Sequence, residues 1–299
     1  KAIRPIEMFP YNFKAENFSE LGYICEGVTT YQGDLFLLKS GVFDWNHYKI
    51  EFNQQLQKHF ENPGRFNYSV TESSFDTWLD GYEAGVPGRK VSIYTEGCLL
   101  AFVTDVRIRR ATKDKYGLDE LMKRLYFDYA LHGKGVSEAD YKAEIANITG
   151  EDWTELFTDY FHGTKAYEII LADALEYIGM ELSHVPSPKY SEAKLGIKTM
   201  PEGQNFKVMS VFTGGTADMG GIMLEDDIIA VNGNACQGEL DQWLELCDNV
   251  EKTLLVQRKG KIIELRLPEL QRSFFNVYSI VEMKNPTNAQ VKALEAWKK

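Results

Sequence analysis

At 299 residues, 44% hydrophobic and 26% charged, the chain has the composition of folded globular material and enough length for two separate cores. Its formal net charge of -11 lacks the basic footprint that nucleic acid demands and disfavours attachment to anionic lipid. No apolar run reaches the length of a membrane span, and no signal peptide opens the chain; Lys1-Ala2-Ile3-Arg4-Pro5 raises the expectation of an interior piece of a larger protein.

Residues 1–17, with Pro5, Pro10 and several aromatics, predict a loop. A helix follows. Leu21, Ile24, Val28, Tyr31, Leu35 and Leu38 recur at three- and four-residue steps and make one apolar face, with Gly41 as the expected C-cap. Glu26 falls on the other face among Tyr23, Gly27, Thr30, Gly33 and Leu37, which are small or apolar, so both sides of this helix are expected to be covered. A carboxylate so placed has to be paired, hydrogen-bonded or bound to a metal, because burying it bare is very costly. The helix alone leaves a structural Arg or Lys partner and a metal both open.

His47 to Phe60 predicts a second helix, broken by Asn62-Pro63-Gly64. Ser73 to Trp78 starts a short helical segment, and Gly85, Pro87 and Gly88 form a turn. Ser92 to Thr112 predicts a long helix with its apolar residues toward one side, and Leu118 to Leu131 an amphipathic one stopped by Gly133 and Gly135. Ser137-Glu138-Ala139-Asp140 has the form of a capping box opening a helix that Gly150 closes. Trp153 to Phe161 and Tyr167 to Ile178 supply two more, ending at Gly163 and Gly179. The first 180 residues therefore predict a helical bundle with little strand signal.

The pattern then changes. His184-Val185-Pro186-Ser187-Pro188 has the composition of a linker. Short β-like runs follow at Leu195–Thr199, Phe206–Val211, Asp227–Val231, Thr253–Arg258 and Lys261–Leu267, with Gly-rich turns and two short helical pieces between them. A tail with Pro286 and a helix-like end closes the chain. The expectation is a multidomain α+β protein: a helical part over 1–183, a β-rich module over 187–270, and a tail over 271–299 packing on the rest. None of the four cysteines, Cys25, Cys98, Cys236 and Cys247, forms a C-x-x-C pair, which argues against a cysteine zinc site; Cys25 and Cys98 read as buried thiols.

Gly214-Gly215-Thr216-Ala217-Asp218 through Gly221, Glu225-Asp226-Asp227 and Ile228-Ile229-Ala230-Val231-Asn232-Gly233 resemble a PDZ domain, over about residues 187–270. The resemblance implies that Leu195, Gly196 and Ile197 form the loop offering backbone N–H groups to a peptide's C-terminal carboxylate. The peptide would join the sheet edge as a strand, and the helix from Leu240 to Leu246 would form the other groove wall.

Across the whole chain, blocks in order resemble the glycyl aminopeptidase family of gluzincin metallopeptidases. They are Arg4-Pro5 and Tyr11, Glu26-Gly27-x-Thr29-x-Tyr31, Ser74-Phe75-Asp76-x-Trp78, Ser92-x-Tyr94-Thr95-x-Gly97, Asp105-x-x-Ile108-Arg109, Asn285-Pro286-Thr287 and Trp297. The resemblance implies a catalytic zinc with Glu26 as its carboxylate ligand, and Tyr94 as the phenol that donates to the oxyanion of the attacked carbonyl. It implies a peptide or protein substrate with a small N-terminal residue such as Gly or Ala. Glu96 departs from the lysine of the family's Tyr-x-Lys-Gly pattern and is expected to alter the charge beside the substrate. The H-E-x-x-H helix that would bring two imidazoles and the general base is absent, since His47, His59, His132, His162 and His184 include no pair four apart. The expectation is a C-terminal fragment cut just after the zinc helix, inactive and holding no catalytic zinc by itself. Tyr23, Gly27 and Thr30 would then lie uncovered and favour self-association. The alternative is a non-catalytic helical scaffold with a peptide-binding PDZ module.

Overall fold

The computed structural model describes residues 2–80 and 86–299, apart from the side chains of Trp78 and Asp80; Lys1 and Gly85 of the segments above lie outside the described residues. The chain divides into two units, Lys1–Ser183 with Ser279–Lys299, and His184–Tyr278.

In the first unit a π-helical turn over Tyr23–Val28 runs into α1 (Thr29–Lys39). There follow α2 (Trp45–Glu61), α3 (Val70–Phe75), α4 (Thr77–Asp80), α5 (Ile93–Thr112), α6 (Leu118–Arg124), α7 (Glu138–Thr149), α8 (Thr154–Leu156) and α9 (Glu168–Tyr177). Local chemistry starts and stops them. Asp44 Oδ1 accepts from the His47 N–H to cap α2, and Ser92 caps α5. The Ser137–Asp140 capping box forms at α7, and Gly150 ends it in the left-handed region at φ 72°. The single helix expected over Leu118–Leu131 is broken: α6 gives way to a π-helical turn at Leu125–Tyr129 and a 3-10 turn at Ala130–His132. Its apolar face ends at Leu125, beyond which Tyr126, Phe127 and Leu131 are exposed.

The second unit holds most of the sheet. The chain enters through β1 (Met180–Pro186) and continues through β2 (Ile197–Glu202), β3 (Asn205–Val211), α10 (Thr216–Met219), β4 (Asp227–Val231), β5 (Asn234–Ala235), α11 (Leu240–Leu246), β6 (Lys252–Arg258) and β7 (Lys261–Leu267). It returns through β8 (Asn276–Glu282) to α12 (Asn288–Lys298). The order is β2-β3-β4-β6-β7, antiparallel throughout, with β5 on β4, so β2 is an edge strand. Its core gathers Ile197, Val208, Ile228, Val231, Leu254 and Val256. The linker expected at His184–Pro188 is largely strand instead: β1 runs to Pro186 and pairs with β8. Two prolines hid that strand, and its partner lies about ninety residues on, beyond the reach of local pattern. The expected tail likewise divides, with residues up to Tyr278 in the second unit and the rest in the first.

α5 is the axis of the first unit. Leu99, Leu100, Phe102, Val103, Val106 and Ile108 are all buried, so the helix is covered all round rather than on one side. It crosses the Tyr23–Val28 turn at bare backbone: a Cβ on Gly27 would lie 2.3 Å from Gly97 Cα, and one on Gly97 2.6 Å from the Tyr23 carbonyl oxygen. The Tyr23 N–H donates to Ser74 Oγ at 3.2 Å, and the Tyr23 ring meets Phe161 edge-on. Tyr23 and Gly27 are therefore buried by α3 and α5, not left uncovered as expected, and Thr30 is half-buried. Gly33, by contrast, is exposed, so the far side of α1 is open one turn further on.

Further along α5 a buried polar knot ties in the C-terminal helix. The Tyr31 hydroxyl donates to Asp105 Oδ2 at 2.5 Å and accepts from Trp297 Nε1 at 2.8 Å. Arg109 Nε and the Leu118 N–H both donate to Asp105 Oδ1. Burial alone would lower the Arg109 pKa, yet the adjacent Asp105 carboxylate holds it above its ordinary value.

Candidate functional site

Glu26 sits in the π-helical turn, half-buried, at the edge of a cavity of about 440 Å³ whose other walls include Ile3, Arg4, Met8, Tyr11 and Cys25. The extra residue of a π turn displaces side chains from the α-helical register, a distortion that recurs at functional sites. Cys25 shares this cavity and is half-buried, so of the two thiols expected in the interior only Cys98 is fully enclosed. Among the described residues no three His, Cys, Asp or Glu side chains converge as metal ligands. Glu26 fits one position of a coordination sphere and not a whole one.

Tyr94 begins the first turn of α5 and lines a second cavity, of about 460 Å³, with Thr30, Gln55, Lys58, Asn62 and Thr95. The two cavities meet the same backbone. Thr30 is one turn beyond Glu26 and donates its hydroxyl to the Glu26 carbonyl at 2.8 Å, and the Gly27–Gly97 crossing lies one residue after Glu26 and three after Tyr94. The structure brings these two residues onto touching helices while giving each its own cavity.

Glu96 also lines the Tyr94 cavity, but it is only 2% exposed, and both its oxygens lie 2.8–2.9 Å from His59 Nδ1. Arg65 Nη1 faces His59 Nε2 at 3.4 Å; a guanidinium only donates, so Nε2 accepts and Nδ1 donates to Glu96. The His59 ring stacks on Tyr167, whose hydroxyl pKa is raised by burial and by Glu96. Glu96, the residue expected to alter the charge beside the substrate, is instead buried, and His59 donates a hydrogen bond to its carboxylate. His59, Gln55 and Lys58 were missed in sequence. The available signal was the polar series Gln55, Lys58, Asn62 at three- and four-residue steps on one face of α2.

In the second unit, Leu195 and Ile197 point into the core, at 1% and 0% exposure. Gly196 takes a left-handed φ of 74°, its N–H donates to the Ser191 carbonyl, and a Cβ there would press on Phe212 and Phe274. Of the three loop residues, Leu195 lines a cavity of about 520 Å³, together with Lys194, Thr216, Lys252 and Leu267.

Residues 1–100 match the profile of the M61 glycyl aminopeptidase family, which bears out the family resemblance over the segment that carries both Glu26 and Tyr94. The whole chain superposes on a solved aminopeptidase N family protein from Idiomarina loihiensis with a TM-score of 0.88 at 22% identity, a likeness of fold. The match covers 100% of this chain and 52% of that one, so the chain spans about half the length of that relative. A photosystem II D1 C-terminal processing protease aligns over 58% of this chain and 44% of its own at 14% identity, but its TM-score of 0.22 supports no argument. No curated protein matches.

Proposed function

We propose that the chain is the C-terminal part of a zinc-dependent aminopeptidase that removes small N-terminal residues, Gly or Ala, from peptides, and that it does not turn over substrate by itself. The observation carrying this is the placement of Glu26 and Tyr94 on two helices locked backbone to backbone at Gly27 and Gly97, inside the segment matching M61 glycyl aminopeptidases. Glu26 offers its carboxylate as one ligand. When bound, zinc supplies Lewis-acid polarisation of the scissile carbonyl and an activated water. Tyr94 donates its phenol proton in a hydrogen bond to the carbonyl oxygen as negative charge develops there. The glycine contact holds both helices at fixed spacing, so this donor is pre-oriented.

The test uses the longer protein. Glu26→Ala and Tyr94→Phe are each expected to abolish most hydrolysis of alanyl and glycyl substrates while the protein stays folded; full rate in both removes the assigned roles. An H-E-x-x-H sequence encoded just ahead of Lys1 favours the enzyme, and degraded histidines there favour the scaffold alternative.

We further propose that the second unit is a PDZ-like module with edge strand β2 and helix α11 as groove walls. Its free edge supports this, while the internal bond of the Gly196 N–H leaves less of the loop for a terminal carboxylate. Titration with peptides free or amidated at the C-terminus tests it: a β-strand partner docks through its backbone in both forms, and a carboxylate reader distinguishes them.

A further inference from the structure

The Tyr94 cavity is lined by the ammonium of Lys58 and the amide of Gln55. α2 turns Gln55 and Lys58 toward it. Thr95 is buried and donates its hydroxyl to Gln55 Oε1 at 3.1 Å, which fixes the amide so that its NH₂ is the group presented. Lys58 is exposed, and among the described residues no hydrogen bond or ion pair engages its ammonium. Asp34 feels the Lys58 charge only after burial and Glu51. Glu96 is buried with both oxygens against His59 Nδ1, and Asn62 spends its amide on the Lys90 carbonyl and its oxygen on the Gly64 N–H. A chain of net charge -11 thus holds at this cavity an exposed ammonium, with no hydrogen bond or ion pair among the described residues, beside an oriented amide donor. A volume of about 460 Å³ suits a short peptide segment.

We propose that this cavity recognises a carboxylate of the peptide it binds, with Lys58 as the charged reader and the Gln55 amide donating to the second oxygen. As a statement about substrate it rests on the peptidase reading above and narrows the class to short peptides with a carboxylate close behind the scissile bond. As a statement about binding it needs no turnover. Lysine contributes a point charge and the amide contributes direction, and charge-assisted bonds of this kind are the stronger ones. The carboxylate has two sources, a free C-terminus or an acidic side chain.

Calorimetry on the 299-residue chain with alanyl-alanine, alanyl-alanine amide and alanyl-aspartate amide separates these. The expected result is alanyl-alanine binding roughly tenfold or more tightly than its amide, a preference erased by Lys58→Gln and kept by Lys58→Arg. If alanyl-aspartate amide recovers the affinity, the site reads the side chain too; if it does not, the site reads the terminus alone, and either arm supports the carboxylate. Equal binding of acid and amide, no binding of the acid at millimolar concentration, or a preference that survives Lys58→Gln overturns the proposal. Tyr94→Phe is expected to keep the acid preference, so loss of hydrolysis and loss of carboxylate recognition are told apart. An acid preference in a longer protein with no peptidase activity would keep the site and remove the enzyme.

Discussion

Two regions along α5 make opposite use of polar residues. Near its C-terminal end, Asp105, Arg109, Tyr31 and Trp297 meet in a buried knot in which each group finds a partner. Near its N-terminus, Tyr94 opens on a cavity where Lys58 and the Gln55 amide present donors that no hydrogen bond engages among the described residues. The difference teaches that one end of this helix spends its polar groups on the scaffold while the other leaves donors facing a cavity. Saturated hydrogen bonding in a dry interior rigidifies, whereas unsaturated donors at a half-open surface are available for binding. Ser74 belongs to the first kind, since its hydroxyl takes up the Tyr23 N–H at the start of the turn bearing Glu26.

The comparison breaks most severely at the hinge between its halves. Gly27→Val sets a branched side chain against the Gly97 backbone, where a Cβ alone would lie at 2.3 Å. It is expected to destabilise by about 3 kcal/mol or more, read as a fall in urea midpoint. Asp105→Ala leaves Arg109 buried without its carboxylate and is expected to cost about 3–5 kcal/mol by the same measurement. An unchanged midpoint would mean that the knot does not bear on the fold. Tyr94→Phe sharpens the contrast from the other side: stability is expected to stay within about 0.5 kcal/mol of the parent, while peptidase rate in the longer protein falls about 10²–10³-fold. A large loss of stability in that variant would assign Tyr94 to the scaffold.

The smallest effect is a rate difference among thiols. Burial raises the Cys98 thiol pKa well above its ordinary value and pushes that of Cys236 up to about 11. Both stay protonated and enclosed at pH 8, whereas Cys25 and Cys247 are half-exposed. Two thiols are expected to react quickly with an alkylating probe and two only on unfolding. Four equal rates would show that the surroundings of Cys98 and Cys236 open as readily as those of Cys25 and Cys247.

Much of the first unit was legible. The apolar steps from Leu21 to Leu35, the Ser137 capping box and the glycine stops are local signals, and local hydrogen bonding obeys them. Part of the family resemblance was legible too, since residues 1–100 match the M61 glycyl aminopeptidase profile. What escaped was non-local. β1 was hidden because two prolines and a hydrogen-bonding partner about ninety residues away disguise a strand. Tyr23 and Gly27 were expected bare because nothing in their own neighbourhood reveals that Gly97 and Ser74 cover them.

The order of residues by itself determined most helix starts and stops in the first unit, and it carries the resemblance to glycyl aminopeptidases. Only the folded chain decided that Glu96 would be buried against His59, and that Lys58 would line the same cavity. The reason is physical: propensity and capping act over a few residues, while the partner of a buried charge is chosen by whatever the packing of distant segments brings within about 3 Å.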